Sequence, residues 1–331
     1  PASPISPPLI DQFGRHITYL RLSITDRCNL RCVYCMPEQG VEHLAHEEIL
    51  TFEELERLVV MFCQMGITKV RITGGEPFVR LGCVSFLERL KVGIGVPYLH
   101  ITTNGVRTYG YLEELKKFGL SGLNVSLDTL DRDRFAALAK RDRLEQVKRT
   151  INEALRLHIP LKINSVVTTS TRDDDMLSLA ALPNHLPVSV RFIEHMPFSS
   201  ADGPGEKLSE SLKSRLYRFF PDLYAVSVER FSTARLYKRP GFKGTLGIIE
   251  GESRKFCKEC NKVRVTPAGL LKTCLYDDGV LDLKKLLRGG MSDKEIKTEI
   301  RQAIIFRQQN GVAAEKMNGE KQLPSMATIG G

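Results

Sequence analysis

Short strand-like apolar stretches and helix-period stretches take turns along this chain. Strands are expected at residues 19–24, 69–73, 99–103, 123–127, 161–167 and 188–193. Thr51-Phe-Glu-Glu54 has the form of a capping box, and after it Leu55, Leu58, Val59 and Phe62 recur at helical spacing until Gly66. Leu144, Val147, Ile151 and Leu155 mark a second clear helix. Six strands alternating with helical segments predict an α/β fold, with a parallel sheet and right-handed crossovers. A doubly wound sheet and an incomplete barrel both satisfy that alternation. Polar residues stand at the C-terminal end of each strand, which points to a site gathered there, as in α/β barrels.

After about residue 198 the pattern changes. Residues 199–205 are polar loop, 235–249 read as a β-hairpin, 282–309 as mostly charged helix, and the last six residues are small and uncharged. A chain of 331 residues, 42% hydrophobic, is expected to form one large domain with an appendage, divided here as 1–225 and 226–331. No apolar run is long enough for a membrane span. The opening Pro-Ala-Ser-Pro-Ile-Ser-Pro-Pro has neither an apolar signal core nor an Arg-rich amphipathic helix. It reads as a disordered lead-in to a cytoplasmic protein, or to a mitochondrial matrix protein whose transit peptide has been removed. The net charge of +9 favours polyanions, but the charges are dispersed and do not choose among nucleic acid, membrane and nucleotide phosphate.

Eight cysteines change the picture. A disulfide framework is not expected in so large a chain without a secretion signal. Cys63 and Cys83 stand apart and read as packing residues. Cys28, Cys32 and Cys35 form a C-x3-C-x2-C array, suited to an iron–sulfur cluster or a metal. Zinc would want a fourth ligand, and the next histidines, His43 and His46, lie beyond a Pro-Glu-Gln-Gly turn. With Asn29 after the first cysteine and Tyr34 before the third, the array resembles the cluster loop of the radical S-adenosylmethionine (SAM) enzymes. Gly74-Gly75-Glu76-Pro77 follows the next strand; its glycines allow close approach of a ligand, and Glu76 can accept from an ammonium group. A second group, Cys257, Cys260 and Cys274, has C-x2-C-x13-C spacing, for which a three-ligand zinc site is the alternative. Lys262 and Arg264 alternate just beyond it, so on an extended segment they face one side and suit an anionic substrate.

From about Phe13 to the last residue these features resemble the radical SAM enzymes that cyclise GTP in molybdenum cofactor biosynthesis. The resemblance implies a partial (β/α)6 TIM-like barrel with a C-terminal α+β extension. Cys28, Cys32 and Cys35 would hold a 4Fe–4S cluster, and Cys257, Cys260 and Cys274 a second one. Tyr34, Gly75, Glu76, Ser126 and Met196 would bind SAM. Arg21, Arg71, Thr102, Lys162, Lys262 and Arg264 would bind GTP, with Arg264, Gly330 and Gly331 acting at the catalytic centre. The family usually carries Arg where this chain has Lys262, which keeps the charge and loses the planar fork. The implied product is (8S)-3′,8-cyclo-7,8-dihydroguanosine 5′-triphosphate. An external electron donor such as flavodoxin or ferredoxin, the next enzyme (cyclic pyranopterin monophosphate synthase) and a second copy of the chain are the implied partners, with neither membrane nor nucleic acid. The alternatives are a radical SAM enzyme that modifies RNA and a two-cluster electron carrier.

Overall fold

The computed structural model describes residues 7–36, 42–196, 208–227, 232–251, 255–317 and 326–329. Six parallel strands lie side by side in chain order: β1 (Tyr19–Ser23), β2 (Lys69–Thr73), β3 (Tyr98–Thr103), β4 (Gly122–Ser126), β5 (Leu161–Val167) and β6 (Ser189–Glu194). The crossovers carry α1 (Phe52–Gln64), α2 (Cys83–Glu88), α3 (Leu112–Lys117), α4 (Arg132–Ala139), α5 (Leu144–Arg156) and α6 (Asp173–Ala180).

The residues explain these elements. Thr51 accepts from Glu54 N at 3.2 Å while Glu54 Oε2 accepts from Thr51 N at 2.7 Å, which satisfies two orphan donors at the start of α1. Leu55, Leu58, Val59 and Phe62 of α1 are all fully buried. They share one core with alternate strand residues, among them Leu20, Leu22, Val70, Ile72, Leu99, Ile101, Leu123 and Val125. Each such side chain contributes roughly 1.5–3 kcal/mol when withdrawn from water. The period of two then forces the other strand residues to the opposite face. There stand Tyr19, Arg21, Lys69, Arg71, Thr102, Asn124, Lys162 and Arg191, so the face turned away from the helices is polar.

The later part of the chain extends both edges of this sheet. On one side β9 (Thr245–Ile249) pairs in parallel with β6, and β8 (Arg235–Lys238) and β7 (Tyr224–Val226) follow antiparallel. On the other side β10 (Lys262–Val265) pairs in parallel with β1, followed by antiparallel β11 (Leu270–Lys272) and β12 (Leu281–Asp282). The result is a 12-stranded sheet whose edges, β12 and β7, do not meet: an α/β partial barrel with a C-terminal extension, as expected. Strands on either side of residue 225 belong to that one sheet.

The charged stretch after 282 is two helices rather than one. Here α8 (Leu283–Arg288) stops before Gly289 and Gly290, the latter at φ +77°, and α9 (Asp293–Ile305) restarts at a Ser292–Glu295 capping box. Two short helices, α10 (Gly311–Met317) and α11 (Met326–Ile329), complete the described residues, and α7 (Leu212–Phe219) precedes β7. Cys83 is buried and Cys63 packs against the core, so both are packing residues.

Candidate functional site

The polar face of the sheet lines a cavity of about 1060 Å³. That is at or above the usual size of a single small-molecule pocket, so it has room for more than one ligand. Strand parity decides which side chains reach it. Neighbouring strands place Arg264, Arg21, Arg71 and His100 in one row, and Thr102, Asn124, Lys162 and Ser189 in another.

The two cysteine groups lie at opposite ends of those strands. Cys28, Cys32 and Cys35 follow the C-terminal end of β1. Cys260 stands two positions before Lys262, the first residue of β10, which lies opposite Tyr19 at the start of β1. Cys274 follows β11, which runs back antiparallel to β10. All six cysteines line the cavity. Four residue steps along β1 carry the chain from Tyr19 to Ser23, a rise of roughly 13 Å.

The first triad is built to present sulfur. Cys35 N and Met36 N both donate to Cys32 O at 3.0 Å, and Arg31 N and Val33 N tie the loop to the end of α4. Leu30 N donates to Cys28 Sγ at 3.4 Å, and Asn104 Nδ2 approaches the same sulfur at 3.7 Å while donating to Asn29 Oδ1 at 2.7 Å. Donors aimed at sulfur favour a thiolate, whereas burial pushes the Cys28 thiol up and the Cys32 thiol well up. Positive charge at the sulfurs would offset that cost, which iron provides. Among the described residues no three His, Cys, Asp or Glu side chains converge on a single-ion position.

The turn after β2 fits against this loop. Gly75 N donates to Thr25 O and Glu76 N to Arg27 O, each at 2.8 Å. A Cβ on Gly75 would lie 2.7 Å from the carbonyl carbon of Arg27 and closer still to its oxygen. Glu76 departs from the rest of the expected site. It is fully buried, absent from the cavity wall, and accepts from Phe78 N, Asn104 N and Thr103 Oγ1. Burial raises its pKa to about 7. Its carboxylate joins the β2 turn to the end of β3, and through Asn104 to the first cysteine. Tyr34 is fixed by donating to Asp128 Oδ2 at 2.7 Å.

The second triad is braced from both ends of the chain. Buried Asp11 pairs with Arg15, whose Nη1 donates to Cys257 O at 2.9 Å. Arg307, also buried, donates to Cys260 O at 3.2 Å. Asp277 Oδ2 accepts from Thr273 N and Cys274 N at 2.8 and 2.7 Å and so shapes the turn carrying Cys274. Burial raises the Cys274 thiol to about 11. Burial also opposes ionisation of Cys260, but Arg307 and then Lys262 outweigh it and hold that thiol below its ordinary value.

Between the triads the wall is cationic. Burial, then Arg264, lowers Arg21 to about 9; burial, then Arg191 and Arg71, lowers Lys162 to about 8. Burial, with Arg71 and Lys69 beside it, keeps His100 neutral down to about 2. Burial and neighbouring cations together produce these shifts, and a bound polyphosphate would offset that repulsion. Tyr34, Gly75, Ser126, Met196, Arg21, Arg71, Thr102, Lys162, Lys262 and Arg264 all line the cavity. Gly330 and Gly331 lie outside the described residues. Tyr19, Lys69, Asn124, Asn164 and Arg191, not expected as site residues, share the same wall. Each stands two positions from an expected residue or, for Arg191, opposite Asn164, and strand parity was the signal that could have found them.

Two family models together cover most of the chain. Residues 22–182 match the radical SAM superfamily, and residues 188–312 match Molybdenum Cofactor Synthesis C. A GTP 3′,8-cyclase from Thermodesulfovibrio yellowstonii is 39% identical over 325 residues, 97% of this chain and 99% of its own length. The chain belongs to the GTP 3′,8-cyclase family. A second such cyclase, from Alkaliphilus metalliredigens, is 42% identical over 84% of this chain and 87% of its own. Molybdenum cofactor biosynthesis protein 1 of Bos taurus is 40% identical over 92% of this chain, which spans about half (48%) of that mammalian relative. Among solved structures, Streptococcus suis SuiB superposes with a TM-score of 0.61 at 17% identity, covering 96% of this chain and 78% of its own, a likeness of fold. Membership of the cyclase family implies a 4Fe–4S cluster and SAM as cofactors. Among the described residues no helix is long and apolar enough to cross a membrane.

Proposed function

We propose that this chain converts GTP to (8S)-3′,8-cyclo-7,8-dihydroguanosine 5′-triphosphate, the first step of molybdenum cofactor biosynthesis. The observation that carries this is a single cavity with a cysteine triad at each end and a buried cationic wall between them. Cys28, Cys32 and Cys35 hold the SAM cluster, with Tyr34, Gly75, Ser126 and Met196 around SAM. Glu76 acts behind them, as a positioning residue. When bound, the cluster and SAM supply a 5′-deoxyadenosyl radical able to remove a hydrogen atom from the ribose. Cys257, Cys260 and Cys274 would hold a second 4Fe–4S cluster. Arg21, Arg71, Lys162, Lys262 and Arg264 take the triphosphate through charge-assisted hydrogen bonds, with Thr102 beside them. Held at both ends, the nucleotide presents its ribose to the SAM end.

The described tail supports a role for Gly330 and Gly331 at this centre. Ile329 is buried against Tyr276 and Ala314, and Met326 lines the cavity. A flavodoxin or ferredoxin, the enzyme that consumes the cyclised nucleotide, and a second copy of the chain are the partners this activity implies.

Anaerobic protein reconstituted with iron and sulfide, given SAM, a reductant and each nucleoside triphosphate in turn, should yield the cyclised product from GTP alone by mass analysis. 5′-Deoxyadenosine without any cyclised nucleotide would reject the substrate assignment. Absence of both would reject the radical SAM reading of the site.

A further inference from the structure

Tyr19 opens β1 on the cavity side and is 7% exposed. Pairing on both neighbouring strands sets a lysine directly opposite it, Lys69 on β2 and Lys262 on β10. Their Nζ atoms lie 5.0 and 5.6 Å from the centre of its ring. The next cavity-facing residues on the same three strands are Arg21, Arg71 and Arg264, and Arg71 Nε donates to the phenolic oxygen. Lys162 lines the same cavity. Every charged group facing this phenol from these strands is therefore a cation.

We propose that Tyr19 is the resident anion of the polyphosphate subsite, anchoring Arg71 in the nucleotide-free protein and taking up a proton when a polyphosphate enters. This rests on the reading that the cationic wall receives a polyphosphate. Two lysines over the ring and the Arg71 guanidinium at its oxygen repel one another, and a phenolate relieves that repulsion. Burial alone would raise the phenol, but Arg71, Arg21, Lys69 and Lys262 outweigh it and bring it down to about 7. An entering polyphosphate supplies the same neutralising charge. The phenolate beside it then becomes a like charge and is protonated, passing Arg71 to the ligand. Tyr19 is thus a positioning residue whose protonation is exchanged for ligand binding.

The sign follows from linkage. If bound polyphosphate returns the phenol to its ordinary value near ~10, binding takes up about 0.9 proton at about pH 8 and about 0.1 at about pH 6. Lys162 also gains protons as an anion arrives, and the ligand itself titrates, so the comparison needs Tyr19→Phe, which keeps the ring and removes the hydroxyl. Calorimetry of inorganic triphosphate binding to the anaerobic reconstituted protein, in two buffers of different ionisation enthalpy, reads the protons directly. The wild-type affinity divided by that of Y19F should fall about twentyfold between about pH 6.5 and 8.5. The wild type alone should show a tyrosinate ultraviolet band near neutral pH that triphosphate bleaches, a readout that does not depend on how the variant folds. Equal pH dependence in both proteins, or a band that triphosphate leaves unchanged, would overturn the role of Tyr19. Failure of triphosphate to bind the wild type at any pH would overturn the polyphosphate reading, and this role with it.

Discussion

Gly75→Ala tests whether the turn after β2 is a fitted part of the SAM site. A Cβ there meets the Arg27 carbonyl carbon at 2.7 Å and Asp26 O at 3.0 Å. Both are backbone atoms, so no side chain can swing away. Ordinary carbon contacts begin near ~3.5 Å, so the turn and the cysteine loop must part by about 0.8 Å. Overpacking of this kind costs about 1–3 kcal/mol. The hydrogen bonds Gly75 N to Thr25 O and Glu76 N to Arg27 O cross the same seam, and each adds about 0.5–1.5 kcal/mol if broken. A total of about 2–6 kcal/mol is expected in urea unfolding of the anaerobic protein. A displacement near 1 Å at the reacting groups should lower 5′-deoxyadenosine formation about a hundredfold. Gly93→Ala is the control: nothing lies within 4 Å of its Cβ, and its stability should stay within about 0.5 kcal/mol of wild type. Wild-type stability and SAM cleavage in Gly75→Ala would refute the reasoning.

Four further outcomes are expected. Replacing Cys257, Cys260 and Cys274 together by Ala should remove about half of about eight irons per chain and leave SAM cleavage detectable; loss of all iron would contradict two separate sites. Arg264→Ala should weaken GTP binding about ten- to hundredfold by calorimetry, while Lys262→Arg keeps or strengthens it. Below about pH 6.5 the unfolded chain protonates His100, which the folded chain refuses until about 2. The wild type should therefore lose about 1.4 kcal/mol relative to His100→Asn between about pH 7.5 and 5.5 in urea titrations. Removing Gly330 and Gly331 should leave iron content and 5′-deoxyadenosine formation intact while cyclised product falls by orders of magnitude; full cyclisation would dismiss the tail from the site.

Much of this was legible because local rules carry it. The α1 cap, the six core strands and the Lys262–Arg264 alternation depend on neighbours a few residues apart, and each lies where its sequence suggests. The cysteine groups are legible for the same reason. Long-range pairing was not legible: nothing in Lys262–Val265 says it will lie against β1 rather than beside β9. For Glu76 the sequence leaves two readings open, because an acid in a glycine turn can face a ligand or its own fold. Only the arrival of Thr103 and Asn104 from the next strand decides, and that is a tertiary event. Tyr19 and Lys69 were passed over as strand residues of ordinary β character, although each is two positions before an arginine on the polar face.

The flanking of β1 by β10 has a consequence for how the molecule is made. The partner that completes β1 is translated about 240 residues after it, at roughly 5–20 residues per second, an interval of tens of seconds. Throughout it β1 offers an unpaired edge to other nascent chains, and β6 does the same, more briefly, until β9 emerges. Contacts so distant in sequence also slow refolding, since the loop must close before the pairing rewards it. A fragment ending near residue 225 would keep both edges open permanently, so it should associate with itself, whereas the whole chain covers them with its own last third.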